Sequence, residues 1–322
     1  MLLLCLALLF GFLILFWSAD QFVFSATATA RNFNMSAMLI GLTLVSLGTS
    51  APEVFVAVAS AFEGSPELAV GNAIGSNIAN IGMVLGITAI LIPLPFRVEV
   101  LRRDLPILII VTAGAGLTLA NLYLGIFDAL FLFAGLGLFL FRLVREHRRT
   151  YSMERAAEIS DLDEIPEMST KKSIVIFLFS LALLLGSAEL LVWAASEIAI
   201  RMGISQLIIG LTVIAVGTSL PELVVSVSCA LKGQTDLAIG NIVGSNIFNI
   251  LLVLAVPGLL APTALESEIL WRDYLLMFMM TLLLVLFAYG VRSKAKVTRL
   301  EGGFLLLIWV AYLTSLYHSS LT

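Results

Sequence analysis

Residues Gly41–Asn80 read GLTLVSLGTSAPEVFVAVASAFEGSPELAVGNAIGSNIAN, and residues Gly210–Asn249 read GLTVIAVGTSLPELVVSVSCALKGQTDLAIGNIVGSNIFN. The two stretches align without a gap, and roughly half of their positions are identical. What they share is mostly Gly, Thr, Ser, Pro, Glu and Asn rather than the Leu and Val that lipid selects. The repeat begins earlier still, because Ser18, Ala19 and Asp20 line up with Ser187, Ala188 and Glu189 at the same offset. Each half of the chain is therefore one structural unit.

The sequence around these copies belongs in a bilayer. Of 322 residues 60% are hydrophobic and only 12% charged, and mean hydropathy is +1.06. That is the composition of an integral membrane protein. Apolar runs of about twenty residues, the length a helix needs to cross the hydrocarbon core, fill most of the chain, and the alternation of a β-barrel is absent. A net charge of -4 gives no basic patch for nucleic acid. Cys5 and Cys229, the only cysteines, sit in apolar runs and read as small hydrophobes. The N-terminal run MLLLCLALLFGFLILFW lacks a basic leader and continues into repeated sequence, so it reads as a retained first span.

Ten spans are predicted. They lie near Leu4–Ala30, Met38–Phe62, Leu68–Leu91, Leu105–Leu122, Ile126–Val144, Ser173–Ile200, Leu207–Leu231, Leu237–Leu260, Leu275–Val291 and Phe304–Tyr317. The polar segment Arg145–Lys172 divides them five and five. A unit with an odd number of spans must enter the membrane from opposite sides in its two copies, so the repeat is inverted. Charge supports the count: with alternating spans, only Arg201 and Arg272 of the 18 Lys and Arg residues fall on one side. The positive-inside rule then places the other side in the cytoplasm and both termini outside.

The expected fold is an all-α integral membrane protein of ten transmembrane helices in two inverted five-helix repeats. Residues 1–144 form the first repeat, 145–172 a cytoplasmic linker and 173–322 the second repeat. The linker mixes Arg148, Arg149 and Arg155 with Glu154, Glu158, Asp161, Asp163, Glu164 and Glu167, without the spacing of an EF-hand loop. It reads as a solvated connection. His147 and His318 occupy loop or terminal positions and read as bystanders.

Glu53 and Glu222 fall at matching positions inside apolar spans, where an ionisable side chain costs about 2.5 to 3.5 kcal/mol on insertion scales. A protonated structural acid is the bland alternative, but the same polar company surrounds both. Thr43, Ser46, Ser50 and Glu53 share a helix face, with Thr49 one turn before the acid. Thr212, Ser219, Glu222 and Ser226 repeat the stripe, with Thr218 beside them and Ala215 at the position of Ser46. Pro52 and Pro221, near Gly48 and Gly217, predict a break that turns backbone carbonyls toward the same track. Irregular backbone at that depth is tolerated where it lines an enclosed cavity.

The next span of each half supplies Ser76 and Asn80, or Ser245 and Asn249, spaced i, i+4. Gly71, Gly75, Gly240 and Gly244 read as small-residue helix packing. Two carboxylates, hydroxyls and amide oxygens without His or Cys suit a hard cation. Calcium, which accepts six to eight oxygens, fits better than the tightly hydrated magnesium, and sodium can use the same oxygens. One divalent ion or several monovalent ones neutralise the pair, which is the physics of exchange at a shared site.

At these residues the sequence resembles the cation/calcium exchanger superfamily, specifically the prokaryotic sodium/calcium exchangers. GTSxPE and GNxxGSNIxN, each present twice, match that family's two alpha repeats, and the ten-span layout extends the resemblance over nearly the whole chain. The resemblance implies an antiporter, not an enzyme, that exports Ca2+ in exchange for Na+ at a multi-pass cell (plasma or inner) membrane. It also implies ions held between the second, third, seventh and eighth spans. Calcium ligands would be Glu53 and Glu222 with carbonyls near Thr49 and Thr218. Sodium would add Ser50, Ser76, Ser219 and Ser245 with carbonyls near Ser46 and Ala215, and Asn80 and Asn249 would line the centre. A loosely packed first and sixth span would slide over the other eight. Many relatives carry Asp where Asn249 stands, so a proton-driven or potassium-dependent calcium antiporter stays open as an alternative. No resident cofactor, nucleic acid or obligate protein partner is expected; the partners are lipid and small cations.

Overall fold

The computed structural model describes residues 1–153, 168–203, 215–290 and 295–319. The repeat is visible in the element order. The helices are α1 Leu2–Asn32, α2 Ala37–Thr49, α3 Ala51–Phe62, α4 Pro66–Leu91, α5 Leu105–Leu119, α6 Ile126–Met153, α7 Thr170–Arg201, α8 Leu220–Leu231, α9 Thr235–Leu260, α10 Ile269–Tyr289 and α11 Arg299–Ser319. A single turn, Ala215–Thr218, precedes α8. Among the described residues, helix stands within each predicted span, the seventh being described only from Ala215 onward. By length and apolarity seven of these helices can cross a membrane, or eight when the bent pair α2 and α3 is taken as one span.

Local sequence explains the ends. Proline in the first turn opens α3, α4, α5 and α8, where its missing N–H removes no helical bond. Ser36 caps α2 by accepting from the Leu39 N–H at 3.2 Å. The turns after α3 and α8 place Gly64 and Gly233 at φ of 77° and 74°, which only glycine adopts without strain. One difference from expectation stands out. Helix α6 runs on to Met153 instead of ending at Val144, because the polar residues after Val144 are good helix formers once outside lipid. The rest of the linker, 154–167, lies outside the described residues, as do Thr212 and the first part of the seventh predicted span.

Burial differs from that of a water-soluble protein at the surface and at a few interior positions. Phe127 is 88% exposed and Leu117 77%, while Glu53, Glu222, Asn80 and Asn249 are at 0%. Large apolar side chains cover the outer surface, as lipid requires, and a set of polar ones is buried beside an apolar interior. Two hydrophobic cores result. The larger joins α3, α4, α5, α6, α9 and α10. The smaller belongs to α1 and α7, which pack along each other with Phe22 and Phe177 stacked at 4.7 Å, and it includes Ile40 and Val45 of α2, Val225 and Cys229 of α8 and Leu237 of α9. The first and sixth spans are therefore closely packed on one another.

Two short antiparallel pairings cross the halves. Strand β1 (Leu94–Pro95) pairs with β4 (Lys296–Val297), and β2 (Tyr123–Leu124) pairs with β3 (Thr263–Ala264). Each joins a connection of one half to a connection of the other and so fixes the ends of α4 and α9 relative to α11 and α6.

Candidate ion-binding site

Helix α2 ends at a break. Ser50 has φ -83° and ψ 9°, α3 starts at Ala51, and the two axes differ by 42°. Ser219, before α8, has φ -92° and ψ 5°. A ψ near zero instead of about -42° turns the following peptide plane off the helix axis. The break falls two residues before Pro52 and Pro221, as the sequence predicts. Opposite it, α4 and α9 carry a π-helical stretch that opens at Asn80 and at Asn249. Such stretches widen a helix and recur at functional sites.

These four irregularities surround Glu53 and Glu222. Both acids are fully buried, and they are close enough to be electrostatic neighbours. Ser76 stands beside Glu53, and Ser50 and Thr49 stand beside Glu222. The Ser50 hydroxyl donates to Glu222 Oε1 at 3.1 Å, linking the break of the first half to the acid of the second. The Thr49 hydroxyl has two acceptors in reach, Asn241 Oδ1 at 3.1 Å and the Ser46 carbonyl at 3.3 Å.

Hydrogen bonding separates this site from ordinary buried polarity. Thr27, Thr88, Thr112 and Thr281 are also buried, but each donates to a carbonyl four residues back in its own helix. Both oxygens of Glu53, Oε2 of Glu222, both side-chain polar atoms of Asn80 and of Asn249, and the hydroxyls of Ser219 and Ser245 are buried with no protein partner among the described residues. Leaving such atoms unpaired costs about 1 to 3 kcal/mol each, more for a charge. Their concentration around Glu53 and Glu222 marks a site built to be completed by something else.

The remaining predicted residues divide. Ser46 is buried, but its hydroxyl donates to the Thr43 carbonyl at 3.3 Å, and its own carbonyl accepts from the Ser50 N–H at 3.0 Å as well as from Thr49. It is engaged in holding the end of α2. Thr218 closes the turn before α8. Ala215 opens that turn, with its side chain outside the described residues. Sequence reading missed Asn241, which contacts three members of the site, and Asn246, both of whose amide atoms are buried without a partner. The signal for both was present: an amide repeated within GNxxGSN is as costly in lipid as the Asn80 and Asn249 amides.

The donor set is two carboxylates among neutral oxygens, and no group of three or more His, Cys, Asp or Glu occurs among the described residues. That chemistry suits a hard cation passing through rather than a zinc or copper centre.

The family model described as sodium/calcium exchanger protein matches residues 3–145 and 172–317. The chain belongs to this family. It is a family of membrane exchangers, and this member is accordingly a multi-pass membrane protein. CaxA of Alkalimonas amylolytica is 42% identical to this exchanger-family chain over 97% of it and 98% of the relative. The inner membrane protein YrbG of Escherichia coli (strain K12) is 37% identical over 97% of each. Among solved structures, the sodium-calcium exchanger NCX_Mj, soaked with 10 mM Na+ and zero Ca2+, superposes with a TM-score of 0.83 at 31% identity, covering 98% of this chain and 99% of that one.

Proposed function

We propose that this exchanger is a secondary antiporter that carries Ca2+ out of the cytoplasm against inward Na+ by alternating access. Ten spans in two inverted halves, with both termini outside, present the site to either side in turn. It works in the inner membrane, as the name of its relative YrbG suggests. The observation that carries this reading is the pair of fully buried acids, Glu53 and Glu222, held together among unpaired oxygens and amides.

Two carboxylates in a low-dielectric interior repel each other and cannot stay empty. One Ca2+ compensates both through Glu53 and Glu222, with backbone at Thr49 and Thr218 completing its shell. Sodium ions compensate the same charge through the acids together with Ser50, Ser76, Ser219 and Ser245. Asn80 and Asn249 face the centre without adding charge. Because the same two acids serve both cargoes, binding one excludes the other, and the loaded site is neutral enough to move past its apolar surroundings. A stoichiometry of three sodium ions per calcium, as the family resemblance implies, moves one charge per cycle, which 100 mV drives by about 2.3 kcal/mol.

The test is radiolabelled calcium flux in proteoliposomes under sodium, potassium and proton gradients imposed one at a time. A sodium gradient alone should drive uptake, and Glu53→Gln or Glu222→Gln should abolish it. Flux driven only by a pH or potassium gradient would transfer the coupling to that ion. Normal sodium-driven flux in either variant would remove the shared site.

A further inference from the structure

The two halves of the site are not equivalent, and one buried amide accounts for the difference. Asn241 lies on α9 at 0% exposure. Its Nδ2 donates to Ser226 Oγ at 3.0 Å and to the Glu222 backbone carbonyl at 3.4 Å, both on α8. Its Oδ1 accepts from the Thr49 hydroxyl at 3.1 Å, on α2. One side chain thus joins three helices, and two of its partners, Glu222 and Thr49, are the residues whose carboxylate and backbone carbonyl are expected to bind calcium. Glu222 and Ser226 are spaced i, i+4 and so present one face of α8 to it.

The first half carries Asn72 at the matching position of α4, after Gly71 as Asn241 follows Gly240. Where Ser226 stands on α8, however, α3 has Ala57. The hydroxyl that would hold Asn72 is missing from the sequence, and Asn72 Nδ2 is buried with no partner among the described residues. The acids follow the same division. Glu222 has one oxygen bonded to Ser50 of the other half, while Glu53, beside Ser76 of its own half, has neither oxygen in hydrogen-bond geometry with a partner among the described residues.

We propose that Asn241 is a positioning residue that fixes Glu222 and Thr49 in place for the cation, leaving Glu53, on the unanchored side, to close onto it. This rests on the reading of the Glu53 and Glu222 site as the cation site. A ligand held before the ion arrives loses less freedom on binding, so affinity depends on the anchor. An acid without an anchor adjusts its distance to ions of different size, which a site shared by a divalent and a monovalent cation needs.

The experiment measures the calcium KM and maximal rate of sodium-driven uptake in proteoliposomes for Asn241→Ala, Ser226→Ala and Ala57→Ser. Outer groups that orient metal ligands are worth about 10- to 100-fold in affinity. Asn241→Ala should therefore raise KM at least about tenfold, and Ser226→Ala, which removes one acceptor and almost no volume, should raise it by a smaller factor. Ala57→Ser gives Asn72 the missing acceptor and should lower KM, an effect that disappears when Asn72→Ala is added. A purely structural role lowers maximal rate, through the amount of folded protein, and leaves KM unchanged. Should Asn241→Ala fail to fold, Ser226→Ala decides the question alone. Wild-type flux with unchanged KM in the folded variants overturns the role of Asn241 and leaves the site standing. Absence of saturable calcium flux in the wild type overturns both.

Discussion

At the scale of single residues, burial alone does not identify function in this chain, because many polar side chains are buried in a protein that turns its apolar surface to lipid. The discriminating property is where their hydrogen bonds go. Thr88 donates to the Val84 carbonyl at 2.6 Å and Thr112 to the Leu108 carbonyl at 2.7 Å, so each is satisfied inside its own helix. Ser245 and Ser219 are buried with hydroxyls that bond to nothing in the protein among the described residues. Thr88→Val and Thr112→Val, close in shape, should leave calcium flux within about twofold of wild type, since the helix carbonyl keeps its backbone donor. Ser245→Ala and Ser219→Ala should lower the response to sodium severalfold in the same assay. Equal effects in both groups would mean that the unpaired hydroxyls are packing features. Sequence revealed the acids and the terminal amides because each is expensive in an apolar span. It did not reveal Asn241, whose role depends on three helices meeting, or Ala57, whose meaning is the absence of a hydroxyl.

At the scale of elements, the site is positioned by breaks in helices, and the helices are held by very close crossings. Proline announces the breaks at Ser50 and Ser219 in the sequence. The π-helical stretches at Asn80 and Asn249 have no such marker, because the same residues read as a continuous helix until neighbours decide otherwise. The short strand pairings were equally invisible, since each joins two-residue segments from opposite halves. One close crossing is that of α4 over α11 at Gly86 and Gly302, and the one at the site is that of α2 over α9. A Cβ on Gly240 would stand 2.7 Å from the Met38 carbonyl and 3.0 Å from Gly41 Cα, both backbone atoms that cannot turn away. Gly240→Ala should therefore separate the helices and destabilise the protein by about 1 to 3 kcal/mol. Gly137 is the control: it is also helical, exposed on α6, and a Cβ there meets no described residue within 4 Å. Gly137→Ala should be neutral or slightly stabilising through helix propensity. Thermal unfolding in detergent separates the two; equal midpoints would show that the crossing is not tight in solution.

At the scale of the whole molecule, the smaller core packs a helix pair, α1 with α7, against faces of α2, α8 and α9, and the larger core lies within the rest of the described body. The composition and the repeat were enough to anticipate a membrane protein of two related halves; the separation into two cores depends on which faces meet, which periodicity alone does not report. An exposed ion pair bridges the boundary. Lys232, after α8, lies 2.5 Å from Asp20 of α1, the two side chains being 35% and 49% exposed. A pair so open to its surroundings contributes at most about 1 kcal/mol, too little to lock the arrangement. The repeat places Glu63 and Glu189 at the matching positions, both acidic, so the same contact cannot form when the halves exchange roles. If access alternates by movement of the helix pair over the body, Asp20 and Lys232 must part in each cycle. A protein carrying Asp20→Cys and Lys232→Cys, with exposed Cys5 replaced by Ala, should react with a short bifunctional thiol cross-linker. Sodium-driven calcium flux should then stop, and reduction of the link should restore it, while either cysteine alone leaves flux unchanged under the same treatment. Full flux through the cross-linked protein would mean that α1 stays in place against α8 throughout the cycle, and that the site opens by movement confined to the body.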